Sequence, residues 1–280
     1  MEVKIAKNAG FCFGVKRAMK MAWDELQNKD ERDVYSLGPL IHNKQAVDRY
    51  KERGLIEMNS LDKIPNDNKL IIRSHGVGEK IYLDSKELNL EVVDTTCPFV
   101  KKIHDIVKDY SLKGYKIIIV GNATHPEIIG IDGWCNNEAI IINSLEEIDS
   151  MNFDSNDKYC VVSQTTANLE SFDKIVEKLK SKIGNLTVKN TICFATKERQ
   201  LAARDLATEV DCMIVIGGKH SSNTQKLVNI CKDIVPTFSI ETKNELNSNE
   251  LSKFNVAGVT AGASTPDWII DEVIEYLESI

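Results

Sequence analysis

Three cysteines in this chain stand in the same kind of place. Cys12 lies in GFCFGVKRA, Cys97 in DTTCPFVKK and Cys193 in NTICFATKERQ. An extended run precedes each, and a helical pattern follows. Behind Cys12 the apolar residues Val15, Ala18, Met19, Ala22, Trp23 and Leu26 keep a helical period. A thiolate is the metal-binding form of cysteine, and a helix N-terminus favours negative charge. One cysteine in such a turn would ordinarily be a packing residue. Three at near-equal separations in the chain suggest thiolates that converge on a metal, zinc or an iron–sulfur cluster. A Cys₃His zinc site could take His42 or His125 as its fourth ligand. A cluster is usually held by four thiolates, so three would leave one iron open to a substrate. A thiol enzyme built on one Cys–His pair would leave the threefold placement unexplained. Spacing alone does not choose among these. Of the other cysteines, Cys160 and Cys212 fall in apolar strand patterns and Cys231 in a helix core, while Cys135 beside Trp134 is undecided. Burial is their default.

Other polar groups recur with the cysteines. A strand ending in glycine is followed four residues on by His42, His125 or Ser221. A later strand in each third ends in SHGV, SQTT or GAST. In HPE, His125 and Glu127 could share proton transfer, or could be a packed imidazole and a capping carboxylate. GGKHSSN, Gly217 to Asn223, offers glycines, hydroxyls and an amide leading into a helix, a plausible phosphate cradle. It is not a Walker loop, since GxxxxGK[ST] is absent. SQTT alone would be an ordinary turn, and GAST before Pro266 reads equally as a helix cap.

The elements that must position these groups alternate between strands and helices, and the strands are largely apolar and β-branched. That pattern predicts parallel sheets flanked by helices. The fold expected is α/β: three similar small parallel-sheet units in a pseudo-threefold ring around a central metal site. Their boundaries are expected at 13–96, 97–192 and 193–280 plus 1–12, with the first strand pairing inside the last unit. Ligands of open parallel sheets lie beyond the carboxyl ends of the strands, where these loops are.

The 280 residues are 42% hydrophobic and 28% charged, an ordinary globular mixture. A net charge of −7 argues against nucleic acid as a partner. No apolar run reaches membrane-spanning length, and MEVKIAKNAGF has no signal-peptide core. The expected setting is cytoplasmic, where disulfides are rare and seven cysteines imply packing, metal ligation or thiol chemistry.

In GFCFGVKRA, GPLIHN, SHGV, DTTCPFV, HPE, SQTT, ICFAT…RQ, SSN and GAST-PD, taken in this order, the whole chain resembles the 4-hydroxy-3-methylbut-2-enyl diphosphate reductases. After the third cysteine it reads ATKERQ, where that family more often has an asparagine before the arginine–glutamine pair. The resemblance implies a 4Fe–4S cluster with one open iron, held by Cys12, Cys97 and Cys193. It implies reductive removal of the hydroxyl of an allylic diphosphate, giving isopentenyl and dimethylallyl diphosphate at the end of non-mevalonate isoprenoid precursor synthesis. Glu127 would supply protons, and Thr165 would hydrogen-bond near the substrate hydroxyl. His42, His75, His125, Ser221, Ser222, Asn223 and Ser264 would hold the diphosphate. Electrons would come from a ferredoxin or flavodoxin.

Overall fold

The computed structural model describes residues 1–28 and 30–280. The chain begins with β1 (Glu2–Ile5), α1 (Phe13–Gln27), β2 (Val34–Leu37), α2 (Lys44–Glu52), β3 (Leu55–Met58), β4 (Lys69–Ile72), α3 (Glu79–Glu87) and β5 (Glu91–Asp94). It continues with α4 (Pro98–Leu112), β6 (Tyr115–Val120), α5 (Pro126–Asp132), β7 (Ile140–Ile142), β8 (Lys158–Ser163), α6 (Leu169–Lys182) and β9 (Leu186–Val188). The last part holds α7 (Phe194–Ala207), β10 (Cys212–Ile216), α8 (Ser222–Lys232), β11 (Thr237–Ile240), α9 (Ser248–Leu251), β12 (Val256–Ala261) and α10 (Asp267–Glu278).

These strands form three four-stranded sheets, each wholly parallel, in the orders β3-β2-β4-β5, β7-β6-β8-β9 and β11-β10-β12-β1. The order is the same in all three. In each, the strand that runs into a cysteine loop is an edge strand. For Cys12 that edge is β1, paired with β12 from Glu2 opposite Val256 to Ile5 opposite Val259. By the density of their internal packing the residues form two compact units. One contains Met1–Lys16, Ile41–Arg53 and Phe194–Ile280 and so holds the β11-β10-β12-β1 sheet. The other contains Arg17–Leu40 and Gly54–Cys193 and holds the other two sheets.

Binary patterning explains the layers. The inner strands bury nearly every side chain, as a parallel sheet covered on both faces must. In β10, Cys212, Ile214 and Ile216 pack with Ile269, Ile270, Val273 and Leu277 of α10. The alternate residues Met213 and Val215 pack with α7 and α8 through Ala203, Leu206, Leu227 and Cys231. In the second unit Ile118, Val120, Tyr159 and Val161 meet Phe172, Ile175, Val176 and Leu179 of α6, while Ile117, Ile119, Cys160 and Val162 meet α4 and α5. Offsets of three, four and seven residues give α6 its single apolar stripe. Edge strands stay partly exposed and carry charge, as at Glu2, Lys4, Glu91 and Asp94. Among the described residues, no helix is long and apolar enough to cross a membrane.

Candidate active site

Each of the three cysteines leaves an edge strand and enters a helix: β1 to α1, β5 to α4, β9 to α7. Each is anchored by its own N–H to the loop that follows the neighbouring inner strand. Cys12 donates to the Ala263 carbonyl at 3.2 Å, Cys97 to Ser74 at 3.0 Å and Cys193 to Thr165 at 2.9 Å. Those acceptors stand in GAST, SHGV and SQTT. The repeat read from sequence therefore extends to individual hydrogen bonds. Gly10 permits the first of these loops: at φ +87°, a Cβ there would meet Ile270 Cδ1 at 2.8 Å.

The seven cysteines divide by environment. Cys135, Cys160, Cys212 and Cys231 are buried, and burial pushes Cys160, Cys212 and Cys231 up to about 11 and Cys135 up to about 12. They remain protonated packing residues at neutral pH. Cys12, Cys97 and Cys193 are half-buried, and each directly precedes the first residue of a helix. This donor set suits a thiolate-bound metal group in ligand softness, access to solvent and helix polarity.

In the unit holding Cys97 and Cys193, α5 starts as its sequence dictates. His125 is the N-cap, its Nδ1 accepts the Glu127 N–H at 3.1 Å, and Pro126 takes the first helical position. An accepting Nδ1 leaves Nε2 as the N–H of the neutral imidazole. The cap directs Glu127 inward, where it is 3% exposed. Its carboxylate accepts the Thr165 main-chain N–H at 2.6 Å through Oε1 and the Thr165 hydroxyl at 2.7 Å through Oε2. Because the Thr165 carbonyl takes the Cys193 N–H, acid, hydroxyl and cysteine loop form one bonded series. The His75 ring meets that of His125 edge-on, with centroids 5.5 Å apart. Gln164, also buried, contributes an Nε2 with no acceptor among the described residues. Sequence reasoning passed over this amide because hydroxyls flank it.

In the other unit the IHN end of GPLIHN meets the GGKHSSN and GAST stretches. A Cβ on Gly218 would lie 2.4 Å from the His42 carbonyl oxygen, so only glycine fits there. The Ser264 hydroxyl donates to the same carbonyl at 3.4 Å. Ser221 caps α8, its hydroxyl accepting the Thr224 N–H at 3.3 Å. Ser222 opens the helix, and Asn223 follows, 4% exposed. Neither its amide oxygen nor its nitrogen has a hydrogen-bond partner among the described residues. A buried amide NH₂ without an acceptor, on the first turn of a helix, fits an anion that would accept from it.

The structure thus gathers Cys12, His42, Ser221, Ser222, Asn223 and Ser264 in one unit, and His75, Cys97, His125, Glu127, Thr165 and Cys193 in the other. Two further histidines lie outside these groups. His104 is buried and stacked on Trp134 with centroids 5.3 Å apart, and His220 is exposed. Burial, assisted by Lys101 and opposed by Asp94, brings His104 down to about 4.

A family model described as LytB protein matches residues 3–278. A 4-hydroxy-3-methylbut-2-enyl diphosphate reductase of Clostridioides difficile (strain 630) is 61% identical, over the full length of both chains. The solved structure of (E)-4-hydroxy-3-methyl-but-2-enyl diphosphate reductase, described as the terminal enzyme of the non-mevalonate pathway, is 40% identical. It covers 100% of this chain and 99% of its own, with a TM-score of 0.73. That of the E-1-hydroxy-2-methyl-but-2-enyl-4-diphosphate reductase from Plasmodium falciparum is 30% identical. It covers 99% of this chain and 87% of its own, with a TM-score of 0.92.

Proposed function

The chain belongs to the LytB protein family, and from that premise we propose that it reduces 4-hydroxy-3-methylbut-2-enyl diphosphate to isopentenyl and dimethylallyl diphosphate. The overall change is R–OH + 2e⁻ + 2H⁺ → R–H + H₂O. The carbon skeleton gains the electrons and one proton, and the hydroxyl leaves as water with the other. A 4Fe–4S cluster held by Cys12, Cys97 and Cys193 would supply the electrons when bound. The observation that carries the reading is the buried Glu127–Thr165 pair. A carboxyl group bonded to a hydroxyl can pass a proton through it: Thr165 donates outward as Glu127 donates to Thr165 Oγ1. The Thr165 N–H fixes which carboxyl oxygen remains the acceptor, so Oε2 is the one that carries the proton. Water exclusion around this pair keeps the proton for the leaving oxygen.

The diphosphate is assigned to His42, His75, His125, Ser221, Ser222, Asn223 and Ser264. The unpaired Asn223 amide supports this assignment, and the α8 N-terminus adds a favourable dipole. Segments 13–96, 97–192 and 193–280 with 1–12 are the three repeats on this reading. The enzyme works in the cytoplasm with a ferredoxin or flavodoxin as donor. Anaerobic iron and sulfide analysis combined with turnover of the hydroxylated allylic diphosphate tests the proposal. Brown, iron- and sulfide-containing protein that forms both products is expected. A colourless zinc protein without turnover would refute it.

A further inference from the structure

Two arginines bind the main chain just ahead of cysteines far from them in sequence. Arg199, on the helix that follows Cys193, is 2% exposed. Its Nε donates to the Asn8 carbonyl at 2.8 Å and its Nη2 to the Gly10 carbonyl at 2.7 Å. Asn8 and Gly10 both have left-handed backbone, at φ 62° and 87°. The segment between β1 and Cys12 is therefore a turn that touches β12 only through the N–H groups of Ala6 and Gly10, which donate to the Val259 and Ala261 carbonyls at 2.8 and 3.4 Å, while the guanidinium takes two of its carbonyls. Arg17, on the helix that follows Cys12, repeats the arrangement with longer bonds. Its Nη1 donates to the Thr96 carbonyl at 3.3 Å and to Thr95 at 3.5 Å, directly before Cys97.

We infer that Arg199 and Arg17 are positioning residues for the cluster: each fixes the main chain ahead of one ligand, Cys12 or Cys97, and so sets where that thiolate points. The role rests on the reading of these cysteines as ligands. At Arg199 it needs the guanidinium fork, since the Asn8 and Gly10 carbonyls, two residues apart, must be met at once by one rigid planar group. A lysine keeps the charge but presents a single nitrogen. The chemistry is that of a preorganised site, in which ligands are aligned by neighbours that never touch the metal.

The test follows individual thiols in the full-length chain after iron removal. Wild type, Arg199→Gln, Arg199→Lys and Arg17→Gln are alkylated for timed intervals, and each cysteine is followed by mass spectrometry of its peptide. Losing a charge-assisted bond shifts a local equilibrium by roughly five- to thirtyfold. Arg199→Gln and Arg199→Lys are both expected to change the Cys12 rate by about that much and to leave Cys97 near wild type. Arg17→Gln is expected to do the reverse. Unchanged rates overturn the inference, as does a parallel rise at all cysteines including buried Cys160 and Cys212, the mark of general loosening. Rescue by Arg199→Lys overturns the fork and leaves charge alone. Should the Arg199 variants not fold, Arg17→Gln decides by the selectivity of its effect on Cys97. Iron and sulfide analysis of the wild type is a separate measurement. A chain that binds no iron refutes the ligand reading whatever the alkylation rates.

Discussion

Glu127 is held from both sides by one residue, and that fixes what its replacement should do. In Glu127→Gln the amide oxygen still accepts the Thr165 N–H, and the amide nitrogen can donate to the Thr165 hydroxyl. Shape and packing survive, but no acidic proton remains. Turnover should fall by about two orders of magnitude or more, the usual scale of general-acid loss, with iron content and substrate affinity close to wild type. Anaerobic steady-state rates and substrate titration measure this, and near-normal turnover would remove Glu127 from the mechanism. Asn223 gives the opposite separation. Its side-chain amide has no hydrogen bond to lose among the described residues, so Asn223→Ala should leave thermal stability unchanged or raise it. Binding of inorganic pyrophosphate should weaken on the order of tenfold or more, since a hydrogen bond to a charged group contributes about 1.5–3 kcal/mol. Calorimetric titration beside a melting curve checks both halves. A stability loss with full affinity would make Asn223 a packing residue.

At the scale of elements, the strand–cysteine–helix junctions predict a division among the cysteine variants. Serine at Cys12, Cys97 or Cys193 should release iron, because a hard hydroxyl replaces a soft thiolate at a helix N-terminus. Serine at Cys160, Cys212 or Cys231 buries a hydroxyl in a sheet or helix core. That should cost about 1–3 kcal/mol of stability while iron per folded chain stays near wild type. Iron assays paired with denaturant titrations distinguish the two sets. The junctions were legible in the sequence because the same loop types return three times. The inner strands were legible because their apolar runs are unbroken. Partners across the fold were not. HPE and SQTT looked like separate motifs, and nothing in either announces that the Glu127 carboxylate takes the N–H of Thr165. Arg199 and Gly10 are 189 positions apart, and one belongs to a helix whose other residues show only an amphipathic pattern. Gly218 could be read as part of a phosphate cradle, but its intolerance of a Cβ comes from the His42 carbonyl, which only the folded chain brings there.

At the scale of the whole molecule, acid stability depends on a residue outside the proposed chemistry. His104 titrates at about 4 in the folded protein, against an ordinary value of 6.5. Between those values the unfolded chain binds a proton that the native chain does not. This contribution to stability is therefore complete above pH ~6.5 and falls as pH drops to ~4, a loss of about 3 kcal/mol. In His104→Phe an apolar ring can remain stacked on Trp134, and nothing titrates. Its stability should fall less steeply than wild type over that interval in urea titrations at several pH values. Parallel slopes would mean that His104 does not control the acid limit.

The pairing of β1 with β12 also sets a timetable. A ribosome makes residues 2–5 long before their partners, residues 256–259. The sheets β3-β2-β4-β5 and β7-β6-β8-β9 each draw on one continuous stretch and can form while synthesis continues. The turn carrying Cys12 must wait, because the Ala263 carbonyl that anchors it comes after β12. Arg199 reaches it earlier but has no finished strand end to hold. Nascent chains arrested before residue 256 should therefore alkylate rapidly at Cys12, and full-length chains slowly. On the proposed reading, loading of iron and sulfur through Cys12 would then wait for β12 and the Ala263 carbonyl, so a product truncated before residue 256 would hold a cluster poorly.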